Sequence, residues 1–472
     1  MFHTTVFATA AVARLLPMPA AISVPAASQS GRRIGASPLH VICERLSCGG
    51  RWIRTLLIST VVGVSAPVLV QAQEPSLGSN VQSLLAYARA QSPELEAMRR
   101  EAEAAAQRIG PAGALPDPVL RVELMNINNY GSDAPPSLLP SRVGETKYTV
   151  MQTLPLWGKR DLRRDAATAD AAQAAARSEV TWTELALRIK TSYAEYYRAI
   201  GNERLTREVL ELLSRLEQIA QARYAGGLVP QQDAIRAQLE QTAMHLELVA
   251  LENEKRQSRS RLNGLLARHA AAPLADPQEL RPWPAVTTSN AVTLADRARA
   301  RNPQLQAELA RLAGAQKTLD LTMRNRYPDL QVGVSPTQMG SRITQWGLMF
   351  EVNIPLQQES RRAQEREAEA MVGASRSRSE ALSHQLLAEL AGNLATFDAA
   401  LRTESLIKSQ LLPQSELSLQ SSLAAYENGK VDFATLLEAQ RQIRKGRQEL
   451  LKARVEAQLR LADIERIVGE EL

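Results

Sequence analysis

Residues 88 to 95 read Ala-Arg-Ala-Gln-Ser-Pro-Glu-Leu, and 210 residues later, from Ala298 to Leu305, the chain reads Ala-Arg-Ala-Arg-Asn-Pro-Gln-Leu. At the same offset Pro118, Leu120 and Val122 map onto Pro328, Leu330 and Val332. This is an internal duplication, which excludes two unrelated domains. Each copy embeds two short strand-like segments in long helical ones, and neither copy can close a sheet alone.

The strand-like segments alternate. In the first copy Leu120, Val122 and Leu124 alternate with Arg121, Glu123 and Met125, and a second strand is expected from Lys147 to about Leu154. In the second copy Leu330, Val332 and Val334 alternate with Gln331, Gly333 and Ser335, and Trp346, Leu348, Phe350, Val352 and Ile354 with Gln345, Gly347, Met349, Glu351 and Asn353. An apolar outer face and a polar inner one is the pattern of a lipid-facing barrel strand, although half-buried strands of soluble sheets alternate in the same way. Two strands in each repeat, together with an export signal, point to the membrane barrel.

The remainder is helical. Ala, Leu, Gln, Glu and Arg dominate and aromatic residues make up only 4%, a composition that favours long helices. One helix is expected from Val81 to Ile109, ended by Gly110 to Gly113. Another, from about Arg160 to Arg223, contains no proline and would be roughly 95 Å long. It stops at Tyr224 to Pro230 and returns from about Gln231 to Leu266; the second copy turns at Tyr426 to Asp432 and returns to about Val468. Each returning helix falls short of its partner by about the length of the helix that opens the copy, so the opening helix is expected to stack end-on to the returning one. Pro413 falls inside a descending helix and predicts a kink.

The formal net charge is +6, but residues 1 to 72 hold six arginines against the single acid Glu44, a surplus of +5 that leaves +1 for the rest. No nucleic-acid footprint remains. From Arg51 to Ala72, two arginines, an apolar run from Leu56 to Val70 and Val-Gln-Ala read as a signal peptide cleaved after Ala72. That divides the chain into a leader of unassigned role (1–50), a signal (51–72), a first repeat (77–269), a proline-rich linker (270–290) and a second repeat (291–469). Both cysteines, Cys43 and Cys48, precede the cleavage site, so the mature chain has no thiol for disulfides or nucleophilic catalysis. Arg45, Leu46 and Ser47 before Cys48 make a poor lipid-attachment signal.

Four strands leave two unpaired edges, and in a bilayer every backbone polar group needs a partner. Closure must come from other copies of the chain; periodicity alone allows two, three or four. From about residue 77 to residue 469 the sequence resembles the TolC-type outer-membrane efflux proteins. The likeness rests on the paired Ser/Asn-Pro-x-Leu helices, on Leu-Pro-Asp-Pro from Leu115, on Leu156 to Arg160 after the second strand, on the two Tyr-x-x-Gly turns, and above all on Tyr426 to Gln440. The resemblance implies a mainly α protein carrying a membrane β-barrel: a homotrimer with a 12-stranded barrel in outer-membrane lipid and a periplasmic α-helical barrel. It also implies an exit duct served by a periplasmic adaptor protein and an inner-membrane efflux pump. Leu115 to Pro118 and Leu156 to Arg160 look most like the heavy-metal efflux subgroup.

By the same resemblance the helix tips Gly226, Gly227, Leu228 and Val229, with Gly429, Lys430 and Val431, face the adaptor. The glycines also serve as helix caps, so Leu228 and Val431, apolar at a tip, are the sharper candidates. Glu438 matches an acidic position that lines the closed end of the channel, while Thr435 replaces a second family acid. Asp233 is the first-copy equivalent of Thr435. Three symmetric carboxylates would focus cations; the alternative is a lone first-turn acid that complements a helix dipole.

Catalysis and resident metals find no support. His245, His269 and His384 stand alone without a ligand at i+3 or i+4. Met125, Met151, Met339 and Met349 near the strands read as packing residues. No phosphate loop or nucleophile elbow appears, so no cofactor is expected and the energy must come from a partner. The rival reading, a periplasmic coiled-coil adaptor or scaffold without a channel, would also carry long hairpins; it should show split lipoyl-like segments around one hairpin, not two matched strand pairs.

Overall fold

The computed structural model describes residues 77–127, 135–284 and 291–472. The leader, the signal peptide and both cysteines lie outside the described residues. The first departure from expectation comes at the start, where the opening helix is broken into α1 (Val81–Gln91), α2 (Pro93–Gln107) and α3 (Ile109–Gly113). The first break is the repeated Ser/Asn-Pro itself. Ser92 sits in extended backbone and its hydroxyl accepts from Leu95 N–H at 3.4 Å, with Pro93 in the first turn of the new helix. The second copy does the same between α6 (Ala291–Arg301) and α7 (Pro303–Arg324), where Asn302 accepts from Leu305 N–H at 2.9 Å. Gly110 to Gly113 form the last turn of the helical stretch, which ends at Gly113; Pro111 falls early in α3, where its missing N–H has no partner to lose.

After the strands β1 (Val119–Met125) and β2 (Glu145–Leu154), α4 runs from Lys159 to Ala225. Its 67 residues span about 100 Å. The returning helix α5 (Gln232–Leu265) covers only half of that length. The other half is covered by the opening helices, because Leu84, Leu85 and Ala88 share one core with Leu185, Ile189 and Tyr196 of α4 and with Leu262 of α5. The second copy repeats the stack. Strands β3 (Leu330–Met339) and β4 (Arg342–Val352) lead into α8 (Gln358–Leu406), α9 (Leu412–Glu427) and the return α10 (Phe433–Val468). Leu294 and Leu305 pack with Leu390, Phe397, Leu461 and Ile464. At the end-on joint Asn302 donates to the carbonyl of Ile467 at 2.8 Å. Gly469 adopts φ +80°, and a Cβ there would lie 2.7 Å from the carbonyl oxygen of Arg301.

Pro413 acts differently from a simple break. The five residues Ile407–Leu411 form a π-helical turn between α8 and α9, so the descending helix continues through the proline. A proline ring collides with the carbonyl four residues earlier, and widening the turn makes room for it.

The sheet is antiparallel in the order β1-β2-β3-β4. Register places Leu120, Val150, Val334 and Leu348 in one lateral row, and all four are exposed. Trp346, Leu348 and Phe350 are 72%, 74% and 68% exposed, so a continuous apolar face looks outward. The opposite face carries Arg121 beside Thr149, Glu123 beside Lys147, and Gln331 between Thr153 and Glu351. β3 runs further than its alternation implies, carrying Pro336 opposite Trp346 in an inner strand, with an irregularity between Thr337 and Gln338. β4 starts earlier and ends at Val352, so Ile354 lies past it.

The segment Leu156 to Arg160 holds the sheet to the helices. Trp157 and Gly158 both take positive φ, 65° and 74°, which turns Lys159 inward. Its ammonium is buried and donates to Asp329 at 2.8 Å and to the carbonyl of Tyr327 at 2.7 Å. Trp157 stacks on Tyr327 at 5.2 Å and donates to the carbonyl of Pro328 at 3.1 Å. The first copy's helix is thus fastened to the second copy's strand.

The linker is fastened as well. Asp276 accepts from the Tyr196 hydroxyl at 2.9 Å and from Lys255 at 3.0 Å. Arg281 pairs with the buried Glu465 at 2.8 Å, which also holds Lys190 at 2.8 Å. Burial alone would raise the Asp276 pKa, but the hydrogen bonds from Lys255 and Tyr196 outweigh it and hold the carboxyl below its usual value of 3.8. A carboxyl with a lowered folded pKa stabilises fully above 3.8 and loses that contribution as pH falls through its lower folded value. Limited proteolysis mapped by mass spectrometry should find residues 270–284 protected at neutral pH and opened in acid below 3.8. Asp276→Asn should expose them at neutral pH and remove the acid step; an unchanged cleavage profile would count against the clamp.

Candidate functional site

Both hairpin tips are built by the same cap. At the end of α4, Leu228 N–H donates to the Arg223 carbonyl and Gly227 N–H to that of Tyr224, both at 2.9 Å, with Gly227 at φ +70°. At the end of α9, Lys430 N–H donates to Ala425 and Gly429 N–H to Tyr426, at 2.8 and 2.9 Å, with Gly429 at φ +69°. These are Schellman caps, in which a residue with a left-handed backbone closes the last turn. Gly226, with φ −82°, is an ordinary cap residue. Asp432 then starts α10 by accepting from Thr435 N–H at 3.0 Å and from its hydroxyl at 2.5 Å. These hydrogen bonds, side chain first, hold its carboxyl below the usual range.

The two tips are joined. Leu213, Leu216, Ala237, Met244, Tyr426, Phe433 and Leu436 form one buried cluster drawn from both copies. Within it the Tyr426 hydroxyl donates to Asp233 at 3.3 Å, and its pKa is pushed up to about 12, first by burial and then by the Asp233 charge. Arg223 donates to the carbonyls of Tyr426 and Glu427 at 2.7 and 2.5 Å, and its guanidinium lies 5.1 Å above the Tyr426 ring. It therefore meets the negative end of α9 with a positive charge. Asp233 is only 7% exposed and lies in the first turn of α5, at the positive end of the helix dipole.

The candidates from sequence therefore separate. Asp233 lies within the protomer, joined to Tyr426, whereas the Glu438 side chain is 59% exposed and, among the described residues, forms its one ion pair with Arg441, at 3.9 Å. Phe433, Leu436, Leu437 and Gln440 define the buried stripe of α10, and Glu438 falls off it. Leu228, 70% exposed, and Lys430 stand out at the tips. Val229 and Val431 instead pack against the tip cluster; Val431 is not the exposed apolar residue its position suggested. Arg223 and Tyr426 escaped the sequence reading as a joined pair. The tyrosine recurs as Tyr224, but the arginine's second-copy equivalent is Ala425, and that inequality was the available signal. Among the described residues no group of three His, Cys, Asp or Glu side chains could hold a metal ion.

Residues 84–268 and 294–470 match the profile of the Outer membrane efflux protein family. The fold resembles that of VceC from Vibrio cholerae at 17% identity, with a TM-score of 0.69, covering 83% of this chain and 96% of that one. It also resembles CusC, at 15% identity and a TM-score of 0.70, covering 83% and 92%. The open state of the Neisseria gonorrhoeae outer membrane channel MtrE matches at 16% identity with a TM-score of 0.63, covering 83% and 89%. A search of curated protein sequences finds no match.

Replacing Tyr426 by Phe removes the hydroxyl donor from a buried carboxylate, a change that costs roughly 1–3 kcal/mol. Amide hydrogen exchange should quicken at both tips, around residues 222–235 and 424–436, and stay unchanged in the sheet. Equal exchange in wild type and Tyr426→Phe would mean that this hydrogen bond does not hold the hairpins together.

Proposed function

Because the chain belongs to the outer membrane efflux protein family, we propose that it forms, as three copies, the outer-membrane duct of a tripartite efflux system. Substrate is delivered by an inner-membrane pump through a periplasmic adaptor and leaves without chemistry on this chain. The observation that carries this reading is the sheet: an apolar outer face, a polar inner face, and two free edges, β1 and β4. Edges cannot be left open in hydrocarbon. Three chains supply twelve strands, an even number within the range of lumen-forming barrels. Each strand pair continues into a helical hairpin, so the same closure forms a tube of helices beneath the barrel.

The other roles follow from that assembly. Exposed Leu228 and Lys430, with the backbone of Gly226, Gly227 and Gly429, offer the adaptor its contact, while Val229 and Val431 support it from inside the tip. Threefold symmetry gathers three Glu438 carboxylates into a constriction that favours cations. Asp233 joins that constriction only when the tips part and Tyr426 releases it. The segments Leu115 to Pro118 and Leu156 to Arg160, which resemble the heavy-metal subgroup, favour heavy-metal cations as cargo.

Detergent-extracted protein should run as a trimer and conduct ions in planar bilayers; a soluble monomer without current would overturn the duct. In the same bilayers Glu438→Gln should reduce cation preference and block by divalent cations, and unchanged selectivity would remove Glu438 from the constriction.

A further inference from the structure

The inner face of the sheet is mostly polar, with one lateral row that is not. Register aligns Val119, Met151, Gly333 and Met349 across the four strands. Gly333 leaves bare backbone between the two methionines. A Cβ placed on it would lie 3.1 Å from Cγ of Met151 and 3.4 Å from Cε of Met349. Two thioether side chains, from strands on either side, therefore converge over the strand between them. Met151 is buried and Met349 half-buried, so the pair is approached through Met349.

Packing alone does not account for sulfur here. A leucine would fill the space over Gly333 as well, so apolar burial does not by itself call for a thioether. A thioether differs from leucine in being a soft donor, which selects Cu(I) or Ag(I) over hard cations such as Mg²⁺. The adjacent inner row carries Glu351 beside Gln331, and no cation among the described residues pairs with Glu351. A carboxylate concentrates cations of every kind, so any preference must come from the sulfurs. Two neutral thioethers hold a cation weakly, which suits a wall that ions must leave as readily as they reach it.

We propose that Met151 and Met349 form a transit contact for soft monovalent metal cations on the inner wall of the barrel. The proposal rests on the channel reading above, under which threefold closure places six thioethers at one level.

The probe is silver nitrate in chloride-free buffer, added to the detergent-extracted full-length protein. Bound silver is measured by elemental mass spectrometry after gel filtration. Methionine oxidation by hydrogen peroxide is read from peptide masses, with the exposed helical Met323 and Met371 as internal controls. Silver should slow oxidation of Met349 several-fold and leave oxidation of the controls unchanged. The double variant Met151→Leu and Met349→Leu should lose bound silver while keeping trimer mass and potassium current. Equal oxidation of Met349 with and without silver, or equal silver on the double variant, would reduce the pair to packing and overturn the proposal. Loss of trimer or current in the wild type without silver is a separate result, which fails the channel reading itself.

Discussion

Backbone hydrogen bonding at the two free edges of a four-stranded sheet governs the rest of this molecule. β1 and β4 each present an edge with no neighbouring strand among the described residues, and the sheet's outer face is apolar over the same span. In water the apolar face would be unstable; in hydrocarbon the edges would be. Only a closed barrel satisfies both. Because each strand pair leads into a helical hairpin, closing the sheet also arranges the helices side by side. The duplication supplies two nearly equivalent units in each chain, so a trimer has approximate sixfold order in both barrel and tube.

Much of this was legible in the sequence because periodicity reports local burial. Strand alternation, the long helix without proline, the turns and the end-on stacking all follow from the order of polar and apolar residues, and the structure bears them out. What was misjudged depended on backbone detail. Ser92 and Asn302 break the opening helices because the residue before proline prefers extended backbone, which outweighed a favourable helical pattern. Pro336 continues β3 because register places it where pairing with β2 is interrupted. Val431 looked exposed because tip residues usually are, but the second hairpin folds it against the joint cluster. The contact between Asp233 and Tyr426 spans 193 residues, and no local pattern encodes a pair so far apart.

Differences between the copies carry information that their similarities cannot. Arg223 and Asp233 of the first hairpin hold Tyr426 of the second, while their second-copy equivalents are Ala425 and Thr435. A reciprocal contact to Tyr224 from a neighbouring chain of the proposed trimer would lack both the guanidinium and the carboxylate. In the proposed trimer, approximate sixfold order would be broken at the tips into two kinds of contact: one polar and charged, within a chain, and one without these groups.

The chain is held unevenly along its length. At the sheet, Lys159 and Trp157 bind the first copy's helix to the second copy's strand through a buried ion pair and a ring stack. At the linker, Glu465 draws in Lys190 and Arg281 while Asn302 caps the end-on joint. Breaking either would strand a buried charge or polar group, a change costing several kcal/mol. At the tips the corresponding link is a neutral phenol donating to a carboxylate, backed by Arg223 on two carbonyls. Between linker and tips, the π turn at Ile407–Leu411 interrupts regular helical hydrogen bonding in the descending helix of the second copy, and such turns mark points where helices bend. A duct that opens at its periplasmic end would thus part the Tyr426–Asp233 link and load the Arg441–Glu240 and Arg444–Glu247 pairs behind it, flexing at this turn and leaving the barrel and linker in place.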